Sequence, residues 1–181
     1  MIVLVGESAS GKSSIEKYFV DNYGYNKIVS YTTRQPREGE VDGIDYHFIS
    51  IEQFKSLKEQ NFFAETAVYN NWYYGVAKKD CTDDKVAVLT PHGLRQISKI
   101  EDINVISFYI NVPRRDRLIK ILQRGDNIEE AYRRSLSDVG MFDGISDEVD
   151  HVINNSGYEK SIEDMSKEVL GIIDIYKNIN Y

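Results

Sequence analysis

The chain has 181 residues, 41% of them apolar and 28% charged, with a formal net charge of −7. This is the composition of a globular protein with about one domain's worth of core, and the acidic balance argues against a nucleic-acid partner. No apolar run nears the ~20 residues of a membrane span, and the single Cys81 excludes an internal disulfide or a cysteine-built zinc site. Met1 leads directly into an apolar run with no space for a signal peptide, so a reducing, cytoplasmic setting is expected.

In chain order, the first element is a buried strand at Ile2-Val3-Leu4-Val5. It runs into Gly6-Glu7-Ser8-Ala9-Ser10-Gly11-Lys12-Ser13-Ser14, which reads GxxxxGK[ST]. A helix follows to Tyr23, with Ile15, Tyr18 and Phe19 at helical spacing. Strand, glycine loop and helix together make a phosphate-binding loop, whose N–H groups and helix N-terminus suit phosphate oxygens. Lys12 reaches the outer phosphates, and the Ser13 hydroxyl is the candidate ligand for Mg²⁺.

Gly24 reads as a helix stop, and Lys27 to Tyr31 as a short β run. Residues 32–43 read as loop, and Asp45 to Ile49 alternate like a strand. Ser50 and Gln53 form a capping box for a helix over about 51–60. Phe62 to Tyr69 and Trp72 to Tyr74 flank the turn signal Asn70-Asn71. Val86-Ala87-Val88-Leu89 is apolar enough for a central parallel strand, and Thr90 caps a helix that begins at Pro91. A core strand is expected over Asn104 to Ile110, then a helix from Pro113 to about Gln123. After a break at 124–127, a charged helical segment of weak apolar periodicity runs from Ile128 to about Phe142. His151 to Ile153 is the last strand, and Ser156 with Glu159 is a second capping box. Ile162, Met165, Val169, Ile172 and Tyr176 line one face of the final helix. The alternation of strands and helices predicts a parallel α/β sheet.

Arginines are bunched at Arg34 and Arg37, at Arg114, Arg115, Arg117 and Arg124, and at Arg133 and Arg134. In an acidic protein such bunching suits a small polyanion. For Arg114, Arg115 and Arg117 a solvated helix face is the expected role.

The stretch Ser30-Tyr31-Thr32-Thr33-Arg34-Gln35-Pro36-Arg37-Glu38-Gly39-Glu40, continued by Gly43-Ile44-Asp45-Tyr46-His47-Phe48, resembles the signature of the guanylate kinases. Glu65 with Asn71-Trp72-Tyr73-Tyr74-Gly75, Arg124-Gly125 and Val152-Ile153-Asn154-Asn155 extend the likeness over nearly the whole chain. The resemblance implies a P-loop NTPase-type three-layer α/β fold, with a parallel sheet core, an inserted mixed α/β monophosphate-binding lobe and a helical lid. It divides the single domain 1–181 into a core (1–33, 81–123 and 146–181), the lobe (34–80) and the lid (124–145).

The activity it implies is ATP-dependent, Mg²⁺-assisted phosphorylation of GMP. ATP would lie on Gly6 to Ser14 with Asn155 near its adenine. Ser30, Arg34, Arg37, Tyr46 and Tyr74 would hold the GMP phosphate or its surroundings, and Glu65 would read the guanine edge. Lys12, Arg34, Arg124 and Arg134 would neutralise the transferring phosphoryl group. The chain departs from the family in three places. The stretch Val86 to Thr90 carries no aspartate, Val76 stands where a serine is usual, and Ser135 stands where the second lid arginine is expected. Two other readings stay open: a kinase of the same fold acting on another nucleoside or ribose phosphate, and a non-catalytic module that binds a phosphopeptide. The sequence leaves the oligomeric state open.

Overall fold

The computed structural model describes residues 1–69, 71–123, 125 and 128–179. The Arg124 expectation therefore lies outside the described residues. Strand β1 (Ile2–Val5) leads into helix α1 (Lys12–Tyr23), and β2 (Asn26–Lys27) follows. Next come β3 (Tyr31–Thr32), β4 (His47–Phe48), α2 (Ile51–Glu59), β5 (Phe63–Tyr69) and β6 (Trp72–Ala77). The remainder is β7 (Lys85–Val88), α3 (Pro91–Ile97), β8 (Ile106–Asn111), α4 (Arg114–Gln123), α5 (Ile128–Ser137), β9 (His151–Asn154) and α6 (Ile162–Ile179).

Among the described residues β2, β7, β1, β8 and β9, in that order, form one sheet in which every pairing is parallel. Strand β1 is central and β7 lies beside it, so the apolar run at 86–89 is one strand removed from the middle. Alternation along β1 sends side chains to two different cores. Ile2 and Leu4 pack with Ile15 and Phe19 of α1 and with Met165, Val169 and Ile173 of α6. Met1, Val3 and Val5 pack on the other face with Leu94 and Ile97 of α3 and with Ile145. Helix, sheet and helix are the three layers expected for this fold class.

The run Lys27 to Tyr31 is not one strand. Asn26 and Lys27 pair with β7, whereas Tyr31 and Thr32 pair with β4 and β6 in a second sheet of order β4-β3-β6-β5. The buried Ile28 anchors the first segment to the core, while Tyr31 packs among Phe62, Phe63 and His47. In this second unit Phe54 of α2 is wholly buried and stacks on Phe63, with ring centroids 4.5 Å apart.

The Ser50 capping box forms in both directions, with Gln53 N–H donating to Ser50 Oγ at 3.1 Å and Ser50 N–H to Gln53 Oε1 at 2.8 Å. Ser50→Ala is expected to cost about 1 kcal/mol, seen as a lower urea midpoint with an unchanged slope.

The second capping box is misplaced in the sequence reading. Residues Ser156–Tyr158 form a short 3₁₀ turn without a side-chain cap. The reciprocal pair is Ser161 with Asp164, at 3.1 and 3.0 Å, directly before α6. Helix α5 ends at Ser137, short of the expected Phe142, and the positive φ of Gly140 and Gly144 belongs to the turns that follow.

Candidate active site

The phosphate loop leaves the C-terminal end of the central strand, where ligands gather in open parallel sheets. A Cβ at Gly6 would sit 2.8 Å from Ile110 O, so only glycine lets the loop turn against β8. Gly11 adopts φ +101° as the N-cap of α1, a conformation that side chains disfavour. Ser14 and Ile15 N–H donate to Gly11 O, closing the first turn.

Lys12 lies back over its own loop, Nζ donating to Glu7 O at 2.7 Å and to Ser10 Oγ at 3.3 Å. Burial lowers its pKa to about 8, against the opposing pull of Asp138 and Glu7. The Glu7 side chain points away from the loop's anion face. Its carboxylate accepts from Tyr109 Oη at 3.1 Å and from Arg117 Nη2 at 3.1 Å.

Arg117 is buried, with Nε on Val112 O at 3.0 Å and Nη1 3.7 Å from Asp138. That corrects its assignment to a solvated face. Arg114 and Arg115 are exposed as expected, but Arg117 shares a helix face with the buried Ile121 four residues on. That spacing was the signal missed. Asp138 closes this network by accepting the Ser8 N–H at 2.8 Å.

Residues 8–14 of the loop border a cavity of about 650 Å³ with Lys120, Arg134, Asn155, Tyr158, Lys160, Ile162 and Met165. Arg134 is thus brought to the loop. Asn155 lies on the wall, but its amide is spent internally, on Lys160 O at 3.0 Å, on Met165 Sδ at 3.3 Å and on Lys160 N–H at 2.9 Å. Both of its amide N–H groups are thus committed within the wall. Tyr158 was not singled out by the sequence, yet its hydroxyl donates to Ala9 O at 2.8 Å and its ring carries Lys120 Nζ 5.2 Å from the centroid.

A second cavity, about 270 Å³, is lined by Ser13, Glu16, Ser30, Asp45, Tyr46, Val76 and the end of β7. Ser13 borders both cavities. Tyr46 connects the second to a cluster around Arg34, whose guanidinium lies 5.4 Å from the Tyr46 ring centroid. Arg34 is only 6% exposed and donates to Glu40 Oε1 and to Gln35 O, both at 2.8 Å.

Hydrogen bonding with Glu40 raises the Arg34 pKa further, and the Tyr74 hydroxyl adds to the same network. Tyr74 packs edge-on against Tyr46 at 6.1 Å. Glu40 also accepts the Arg37 backbone N–H at 2.7 Å, while the Arg37 side chain is exposed. Glu40 therefore organises both arginines, a role its place in the motif suggests only once the loop is seen folded.

Glu65 is 6% exposed on β5, cross-strand from Val76, with Oε2 3.0 Å from the position a Cβ would take on Gly93. Burial pushes its carboxyl up to about 7. Val76, not Glu65, forms the cavity wall. Thr90, at the position lacking an aspartate, caps α3 by accepting Gly93 N–H at 3.1 Å. Glu16 is also raised, pushed to about 7 by burial against the opposing effects of Lys27 and the Val88 backbone.

Among the described residues no three or more His, Cys, Asp or Glu side chains gather as a metal cluster, and no helix is long and apolar enough to cross a membrane. Mg²⁺ in kinases is held by one or two protein groups together with phosphate oxygens. A serine hydroxyl on the rim of both cavities fits that kind of site.

A central parallel strand running through GxxxxGK[ST] into a helix, with polar cavities on either side of its serine, defines a P-loop nucleotide-binding protein. The family model described as Guanylate kinase matches residues 1–170. A guanylate kinase of Helicobacter pylori (strain ATCC 700392 / 26695) is 33% identical over 171 residues, 90% of this chain and 82% of the relative. One of Rickettsia bellii (strain RML369-C) is 31% identical over 179 residues, covering 94% and 93%. The crystal structure of guanylate kinase from Anaplasma phagocytophilum shares the fold, with a TM-score of 0.69 at 22% identity over 97% of this chain and 85% of that one. The chain belongs to the guanylate kinase family.

Proposed function

We propose that this protein transfers the γ-phosphoryl group of ATP to GMP, giving ADP and GDP. Family membership supports the reaction, and the observation that carries it to these residues is the shared position of Ser13 on the rim of both cavities. One cavity is built on the phosphate loop. The other is built on Ser30 and Tyr46, the latter lying under Arg34. Two phosphorylated substrates docked from the two sides would meet at Ser13.

In this reading Gly6 to Ser14 cradle the ATP phosphates, and Asn155 shapes the wall beside the base. Arg34, Arg37, Tyr46, Tyr74 and Ser30 hold the monophosphate, with two guanidinium forks matched to its charge. Lys12, Arg34, Arg124 and Arg134 offset the charge of the phosphoryl group in transit. Ser13 would hold Mg²⁺, which when bound supplies charge neutralisation at the outer phosphates. The acceptor phosphate is already ionised near neutral pH, so the protein needs no general base. The segments 34–80 and 124–145 act as lobe and lid, closing to exclude water.

A coupled ADP-release assay over GMP, dGMP, AMP, CMP, UMP, dTMP and ribose phosphates tests the reading; GMP is expected to be the best acceptor. Turnover with another acceptor and none with GMP would refute it. Arg34→Ala and Arg37→Ala are expected to raise the KM for GMP at least tenfold while moving that for ATP less than threefold. Equal losses for both substrates would overturn the two-sided assignment.

A further inference from the structure

In P-loop enzymes the metal is shared between the loop's Ser or Thr and an acid at the end of a nearby strand. Strand β7 borders β1 at this point, yet residues Lys85 to Thr90 include no acid, and the Thr90 hydroxyl is committed to capping α3. The end of β7 is nevertheless supplied with a carboxylate from elsewhere. Strand β2 pairs with β7 only through Asn26 and Lys27, and Ile28 N–H reaches Val86 O as the last contact on that side. Beyond that point Glu16 of α1 lies in the same cavity wall as Val88 and Leu89, at the end of β7.

Glu16 stands three residues after Ser13, so both lie on one face of α1, and its side chain leans toward the helix N-terminus where Ser13 sits. Ser13, Glu16, Ala87, Val88 and Leu89 border the same cavity. Asp45, the other acid on that wall, lies on the loop before β4, away from α1, and accepts the Val41 N–H at 2.8 Å. We infer that Glu16 is the carboxylate of the Mg²⁺ site, delivered by α1 to the end of β7, where it holds the metal's hydration shell beside Ser13. Mg²⁺ keeps several of its waters when bound, so a carboxylate that grips them serves in place of a strand aspartate.

The inference rests on the kinase reading only for the identity of the phosphates, and its test does not need turnover. Free Mn²⁺ is followed by electron paramagnetic resonance as it titrates the ADP-loaded protein, and ADP binding in EDTA is measured by calorimetry. E16Q and E16A are expected to weaken Mn²⁺ at least tenfold, the scale of metal-site support, with metal-free ADP affinity changed less than twofold. Ser13→Ala should weaken Mn²⁺ in the same way. Wild-type Mn²⁺ affinity in both Glu16 variants would overturn the assignment. An equal loss of metal-free ADP binding would also overturn it, since Glu16 would then support the nucleotide site as a whole. Failure of the unmodified protein to phosphorylate GMP would instead refute the parent reading and leave the Mn²⁺ result standing.

Discussion

Lys12→Ala is expected to lower kcat at least a hundredfold while the protein stays folded. The cation is already on the loop, within reach of two loop oxygens, so little rearrangement separates it from the phosphates that replace them. In a buried site the loss of one charge from a phosphoryl group in flight removes about 3 kcal/mol of transition-state stabilisation, two factors of ten.

Folding is expected to survive because Lys12 is an expense to the free protein. Its pKa, lowered to about 8, means the folded state holds the proton less tightly than the unfolded chain does. Stability therefore rises with pH between about 8 and the ordinary lysine value, and the charged side chain weighs against the fold at neutral pH. Steady-state turnover of the variant beside its thermal melt is the measurement. Unchanged kcat would remove the loop lysine from the mechanism.

The second large effect concerns the base. In the proposed reaction an ionised Glu65 would accept hydrogen bonds from the N1–H and 2-amino group of guanine, whereas adenine would present a bare N1 and leave a buried carboxylate unpaired. GMP is expected to exceed AMP by at least ~100-fold in kcat/KM, and Glu65→Gln should narrow that gap by weakening GMP. The carboxyl pushed to about 7 adds a pH signature. If Glu65 reads the base, GMP binding requires its ionised form, and affinity should fall about tenfold from pH 7.5 to pH 6. In Glu65→Gln only the part due to the titration of the GMP phosphate should remain.

The sign for the free fold is opposite. A proton retained up to about 7 makes Glu65 cost stability progressively as pH rises from the ordinary glutamate value toward 7. A Glu65→Gln protein more stable than the unmodified one at pH 8 is therefore expected. Equal use of AMP and GMP by the unmodified protein would sink the guanine reading.

The sheet, the loop and the arginine lobe were legible because each depends on local chemistry. Apolar runs at 2–5, 86–89 and 104–110, the spacing of Gly6, Gly11 and Lys12, and the Ser50 and Gln53 pair all act within a few residues. What escaped depends on partners distant in the chain. Arg117 looks like one more surface arginine until Glu7 and Asp138 arrive from 110 positions before it and 21 after it. Lys27 to Tyr31 scores as one strand because propensity cannot see that its two ends belong to different sheets. Glu16 belongs to no motif, and the cavity it shares with Ser13 and the end of β7 exists only in the fold. The absence of an acid from Val86 to Thr90 was visible, but its spatial remedy was not.

The central place of β1 governs how the protein comes into being on the ribosome. Its neighbours are residues 85–88 and 106–111, so the strand that carries the phosphate loop waits for distant parts of the chain before both flanks exist. Until residue 88 has emerged from the exit tunnel, Ile2 to Val5 remain an apolar segment without a partner strand, and until residue 111 has emerged one edge of β1 stays bare. Such distant pairings close slowly and leave apolar surface bare in the meantime. The nascent chain thus gains its nucleotide site late and all at once, and a nascent chain stalled before β8 would be a client for chaperones rather than a partly active kinase.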